Sequence, residues 1–182
     1  MSLVVICEGS LSLVDTCTDA LAKVAMDNPE QAEMLMKFKM DAPDLVRKCA
    51  EKAIKRIEVQ GIRPQDYVVD ETNCMYYCRS ATRPQNFWGS LDANYCMCSD
   101  AFKHGMGIKI DGNGRVTFNT VRHQGKYDET QQAEMARMRK AFSAALITEF
   151  YQAALAKICT TVTTEIIEQN GRRIVHLQGV KS

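Results

Sequence analysis

Apolar side chains recur along this chain with two different periods, and the periods mark its elements. The longest helix-period stretch runs from Asp128 to Cys159 and contains neither Gly nor Pro, so nothing in it breaks a helix. Met135, Met138, Phe142, Ala145, Leu146, Phe150, Ala153 and Ile158 recur mostly at three- and four-residue steps and draw one stripe down such a helix. Asp128 can cap its first turn, and Glu129 suits its positive end.

The amino-terminal third has the same period in shorter pieces. Leu3 to Cys7 is an apolar, β-branched run closed by Glu8-Gly9-Ser10, predicting a strand buried on both faces. Ser10 or Ser12 can cap a helix reaching about Met26, with Leu13, Cys17, Ala20, Leu21 and Val24 on one face. Asn28-Pro29 starts a second helix to Met40, with Ala32, Leu35, Met36 and Met40 on one side. Asp41-Ala42-Pro43 then opens a third, Asp44 to about Gln60, whose apolar face is Leu45, Val46, Cys49, Ala53 and Ile57. Its outer face is charged, from Arg47 and Lys48 through Glu51, Lys52, Lys55 and Arg56 to Glu58, which reads as a solvated surface. Gly61 stops this helix, and Pro64 follows.

Strand signals take over from there. Tyr67-Val68-Val69 begins a strand predicted to continue through Cys74 to Cys78, a turn-rich loop spans Ser80 to Asn94, and Tyr95 to Cys98 forms a second short strand. Met106 to Val121 alternates around Asp111-Gly112-Asn113-Gly114, a strong hairpin turn. Val162 to Glu168 and Arg173 to Val180 flank Gln169-Asn170-Gly171, a second tight turn. The predicted fold is α+β: a small antiparallel sheet of hairpins packed by one long helix, with an amino-terminal helical subdomain. Gly61 to Pro64 is the candidate linker, dividing residues 1–62 from 63–182 unless the two form one continuous domain.

Composition narrows the class. Hydrophobic residues make 46% and charged residues 25%, as in ordinary globular proteins. The net charge of +1 lacks the basic excess of nucleic-acid binders. MSLVVIC has no basic flank and does not read as a signal peptide, and no apolar run reaches the roughly 18 residues of a membrane span. The expected setting is cytoplasmic or otherwise intracellular, an organelle or a virion included, with no membrane partner.

Eight cysteines are the strongest chemical signal. In an intracellular chain they favour reduced core thiols or a metal site over a disulfide framework. Cys74-x3-Cys78 and Cys96-x-Cys98 lie on neighbouring strands, where each pair shares a face. Four thiolates presented together suit tetrahedral zinc, while the same positions also suit small core side chains. Of the three histidines, His104, His123 and His176, none sits in a local motif with a cysteine, and Cys98 with His104 is the pair to consider for thiol catalysis. Asp70 and Glu71 are expected to face solvent. Arg79, Arg83, Phe87 and Trp88 mix cations with aromatics; they can stack on bases, anchor their loop to the core, or form a protein-binding patch. Met34, Met36, Met40, Met135 and Met138 read as core or interface filler. No spacing marks a catalytic residue.

From Gly105 to Val180 the order of elements resembles the plastid and cyanobacterial family called hypothetical chloroplast open reading frame thirty-five. The matching pieces are Gly107-Ile108, Asp111-Gly112, Phe150-Tyr151 with Ala153, and Asn170-Gly171 before Ile174 and Leu177. The amino-terminal helices and the Cys-rich middle depart from that family. The resemblance implies a small non-enzymatic accessory protein working beside an AAA+ ATPase. The expectation is therefore an interaction or structural protein in a protein assembly, with a protein partner or with itself as an oligomer. The alternative is a Cys-rich zinc-binding or thiol-dependent enzyme, and a weaker one is an RNA-binding accessory protein.

Overall fold

Thirty uninterrupted helix-compatible residues fold as one helix in the computed structural model, which describes residues 4–15, 29–70, 74–79, 81–83, 85, 89–122, 127–158, 161–169 and 172–180. This helix spans Glu129–Ile158. Asp128 Oδ1 accepts the Gln131 N–H at 2.8 Å, and Gln131 Oε1 accepts the Asp128 N–H at 3.0 Å. The reciprocal pair satisfies two amides that the first turn leaves without intrahelical partners. Met135, Met138, Phe142, Ala145, Leu146, Phe150 and Ala154 are buried along its inner face.

The other long helix, α1, runs Pro29–Ile57 with Pro43 inside it; the helix Glu129–Ile158 is α2. The expected break at Asp41-Ala42-Pro43 does not occur. Pro43 lacks an N–H and crowds the carbonyl four residues back, which costs about 3 kcal/mol in a helix interior. The apolar stripe runs straight across it, through Phe38, Ala42, Val46, Cys49, Ala50, Ala53, Ile54 and Ile57, all buried in one core. Burying a single side chain of this kind contributes roughly 1.5–3 kcal/mol, so packing outweighs the proline. Met40, expected on the apolar side, is 82% exposed; in the continuous helix it falls off that stripe. A 3₁₀ turn at Glu58–Gln60 ends at Gly61, whose φ of 73° is left-handed and whose N–H donates to Glu58 O.

Five strands form the main sheet, in the order β1-β8-β7-β6-β2 with antiparallel neighbours throughout. They are β1 Val4–Ser12, β2 Ile62–Gln65, β6 Tyr95–Ser99, β7 Met106–Ile110 and β8 Arg115–Arg122. β1 does not end at Glu8-Gly9-Ser10. It bulges between Cys7 and Gly9 and continues to Ser12, where helical backbone begins at residue 13. The helix expected as far as Met26 otherwise lies outside the described residues. The Gly61–Pro64 stretch, read as a linker, supplies β2. Pro64 is accommodated because, among the described residues, β2 pairs with β6 alone, at the sheet edge.

A second sheet holds β3 Tyr67–Val69, β4 Met75–Cys78 and β5 Gly89–Leu91. β3 and β4 pair antiparallel, so the single strand expected from Tyr67 to Cys78 is a hairpin; β5 joins β4 in parallel. The last sheet is a two-stranded ribbon, β9 Thr161–Gln169 and β10 Arg172–Val180. The fold is thus α+β, with α2 packed on α1 and on the main sheet. The core under the helices draws on both sides of Gly61, from Leu13 and Val46 to Phe118 and Phe150. A smaller cluster of Val68, Cys78, Leu91, Ala93, Cys96 and Val121 joins the second sheet to the first. Among the described residues, no helix is long and apolar enough to cross a membrane.

Candidate functional site

The join between the two sheets is covalent. Cys78 closes β4, Cys96 lies in β6, and the two form a disulfide with Cα atoms 6.6 Å apart. Backbone bonds bring the strand ends together: the Cys78 N–H donates to Asp66 O at 3.3 Å, and the Arg79 N–H to Ala93 O at 3.0 Å. Gly107, opposite Cys96 in β7, leaves room for the approach, since a Cβ there would collide with Leu91 and lie 3.0 Å from the Ala93 Cβ.

Above this disulfide lies a groove of about 260 Å³. Glu51, Ile54 and Lys55 of α1 and Glu58 of the 3₁₀ turn after it form one wall, and Gln65, Asp66 and Tyr95 are among the residues opposite, with Cys78 and Cys96 also lining it. The lining carries three carboxylates, Glu51, Glu58 and Asp66, against one ammonium, Lys55, and all four side chains are exposed. The Tyr95 hydroxyl donates to Glu51 Oε1 at 3.4 Å. Burial, and then the Glu51 carboxylate, push the Tyr95 hydroxyl pKa up, so it stays a neutral donor. The groove therefore offers an acidic rim, with the bonded Cys78 and Cys96 among its lining residues.

A second, more polar depression of about 560 Å³ lies among Ser10, Ser12, Asp15, Lys39, Asn113 and Arg115. Much of its polarity holds the β7–β8 turn. Asp111 Oδ1 accepts the N–H groups of Asn113 and Arg115 at 2.8 and 2.9 Å, and Arg115 Nη2 donates to Ser10 Oγ at 3.1 Å.

The four cysteines singled out as a zinc set are not brought together as one. Cys78 and Cys96 are bonded to each other, and Cys74 and Cys98 take no part in that disulfide. Among the described residues, no group of three or more His, Cys, Asp or Glu could hold a metal ion. The preference for reduced thiols over a disulfide is corrected at Cys78 and Cys96 and stands at Cys49 and Cys98, both buried and free. Burial raises the Cys49 thiol to about 11 and also pushes the Cys98 thiol up, against the opposing pull of Arg63. A thiolate nucleophile needs the opposite shift. His104, its proposed base, shares Nδ1 with Val69 O at 3.0 Å and packs against Phe102 and Tyr127.

Asp70 is 1% exposed, correcting the expectation that it faces solvent. Its Oδ1 accepts the Cys74 N–H at 2.8 Å and its own N–H donates to Cys74 O at 3.1 Å, so the carboxylate is spent on closing the β3–β4 hairpin. Arg79 is exposed and pairs with Asp92 at 3.4 Å, and Arg83 is exposed. Phe87, Trp88, Glu71 and His123 lie outside the described residues, as do the side chains of Met34, Met36 and His176.

Glu51, Lys55, Glu58 and Tyr95 are the site residues that sequence reasoning passed over. The first three lie along one side of a helix and read as solvated surface; no local pattern places a disulfide beneath them. No protein-family model, curated protein or solved structure matches the chain.

Proposed function

We propose that the chain is a non-enzymatic interaction protein of an intracellular protein assembly, and that its carboxy-terminal ribbon is the element that engages the partner. The β9–β10 ribbon carries this reading. Nine residues of each strand pair with each other in a two-stranded sheet, and a ribbon of two strands is only marginally stable by itself in water. Thr161, Thr163, Thr164, Glu165, Ile166 and Glu168 are exposed, Ile166 to 48%. Gln152 of α2 secures the ribbon by donating to Thr164 Oγ1 at 2.6 Å. Among the described residues each strand pairs along one side, and in this reading its outer edge offers backbone N–H and C=O groups to an added strand.

The partner in this reading is a second copy of the chain, paired ribbon to ribbon. The resemblance of the segment from Gly105 to Val180 to the plastid family supports an accessory role and adds an AAA+ ATPase as a partner of that assembly. Size-exclusion chromatography with light scattering on the full chain tests the proposal. The expected result is an oligomer that Ile166→Glu dissociates while the circular dichroism spectrum stays unchanged. A monomer at every concentration, or an oligomer indifferent to Ile166→Glu and to strand-breaking Thr164→Pro, would sink it.

A further inference from the structure

The Cys78–Cys96 disulfide has a feature that a purely structural cross-link does not need: it lines a groove with its own charge. The two cysteines are 3% and 2% exposed. On the other side, Val68, Leu91, Ala93 and Val121 pack around them in the small cluster between the sheets. Among the described residues, the groove is the open space that these two cysteines line. Its rim sets three carboxylates against one ammonium. Arg47, the cation facing Tyr95, is engaged by Asp44 at 2.7 Å.

We propose that this disulfide is a thiol–disulfide exchange site, entered through the groove and selective for amine-bearing thiols over anionic ones. An entering thiolate attacks one of the two sulfur atoms. The S–S bond breaks, its electron pair stays on the other cysteine sulfur, and that sulfur takes a proton from solvent. A second thiol then attacks the mixed disulfide, forming the oxidised small-molecule disulfide and freeing the remaining cysteine as a thiol. Two thiols are oxidised and one protein disulfide is reduced, so electrons and protons balance. Exchange removes the covalent tie between β4 and β6, leaving the small apolar cluster to hold the three-stranded sheet.

Selectivity follows from the rim. A cationic thiol is drawn toward the net negative charge and an anionic one is repelled, over a range set by the Debye length of about 10 Å at 0.1 M salt. Lys55 works against this preference, so its removal sharpens the selectivity, and neutralising Glu51 or Glu58 weakens it.

The test uses the full chain with its disulfide intact and two probes, cysteamine and mercaptoacetate. Reduction is followed by quenching with an alkylating reagent and by mass analysis of the peptides carrying Cys78 and Cys96. Rates are corrected for thiolate concentration and referred to the same probes acting on an uncharged small disulfide. Cysteamine is expected to react about threefold or more faster at low salt, the ratio falling toward one in roughly 1 M salt. Glu51→Gln with Glu58→Gln lowers the ratio, and Lys55→Gln raises it. Rates that stay flat in sub-denaturing urea fit entry through the groove in the folded state. Rates that climb exponentially with urea mark access by unfolding and overturn the proposal. Equal rates for the two probes, or a preference for mercaptoacetate, overturn it as well.

Discussion

Phe118 of β8 and Phe142 of α2 meet edge to face, with ring centroids 5.8 Å apart and planes at 84°. Both rings are at most 1% exposed, and they stand where the main sheet and the second helix share their core. A pair in this geometry contributes about 0.5–1.5 kcal/mol beyond its buried area. Phe142→Ala removes that term and leaves a cavity, and is expected to destabilise the fold by about 3–5 kcal/mol. Phe142→Leu, which keeps most of the volume, is expected to cost less than half of that. Urea unfolding followed by circular dichroism separates the two, and equal losses would show that the ring contributes nothing specific.

Pro43 gives a prediction of the opposite sign. It lies within α1, where it withholds an N–H from the Lys39 carbonyl and crowds it. Alanine restores the hydrogen bond and lifts a helix-interior penalty of about 3 kcal/mol, against roughly 1 kcal/mol lost because the unfolded chain becomes freer. Pro43→Ala is therefore expected to stabilise the protein by about 1–2 kcal/mol, read as a higher urea midpoint with the slope unchanged. A lower midpoint would show that the half-buried ring is held by packing worth more than the helix penalty.

The same residue shows where sequence legibility ends. The stretch from Glu129 to Ile158 reads correctly because thirty residues without a breaker leave one option. At Pro43 the local rule predicts a boundary, and packing across Phe38, Ala42 and Val46 overrides it. At Pro64 the local rule again predicts a break, and the edge position of β2 makes the missing N–H harmless. Hairpin turns follow local chemistry, so β7–β8 is legible. The covalent join is different. Cys78 and Cys96 lie 18 residues apart in separate sheets, and their pairing depends on how those sheets pack; spacing alone does not give connectivity. The burial of Asp70 is likewise invisible locally, since it depends on the hairpin that its own side chain closes.

Gly107 tests the packing of one sheet on the other. The site lies opposite Cys96, and an added Cβ would run into Leu91 and crowd Ala93. Overpacking of this kind costs about 1–3 kcal/mol. Gly107→Ala is expected to fall in that range, and Leu91→Ala in the same chain is expected to recover part of the loss, so that the two changes are not additive. A double-mutant cycle in urea measures this directly. Strict additivity would mean that the sheets separate at Gly107 without strain.

Acid sensitivity is predicted at the seam between α2 and the end of α1. Arg137 Nε and Nη2 donate to the two Glu134 carboxylate oxygens at 2.7 Å each, and Arg137 Nη1 donates to Gln60 O at 3.2 Å. The Arg137 hydrogen bonds hold the Glu134 carboxyl below the usual range, against the upward push of burial, with help from Ser99. A carboxyl depressed on folding adds stability that is complete above its unfolded pKa, about 4.3, and is lost as pH falls through the lower folded value. With Arg137 partly exposed, the pair is worth about 0.5–1 kcal/mol at pH 7. Glu134→Gln is expected to lower stability by that amount near neutrality, and its curve is expected to converge on that of the unaltered chain as pH falls through the lowered folded value. Arg137→Gln, which removes the other partner, should show the same convergence and also loosen the Gln60 contact. A constant gap between the curves from pH 7 to pH 3 would mean that Glu134 stabilises the helix seam through shape and not through its charge.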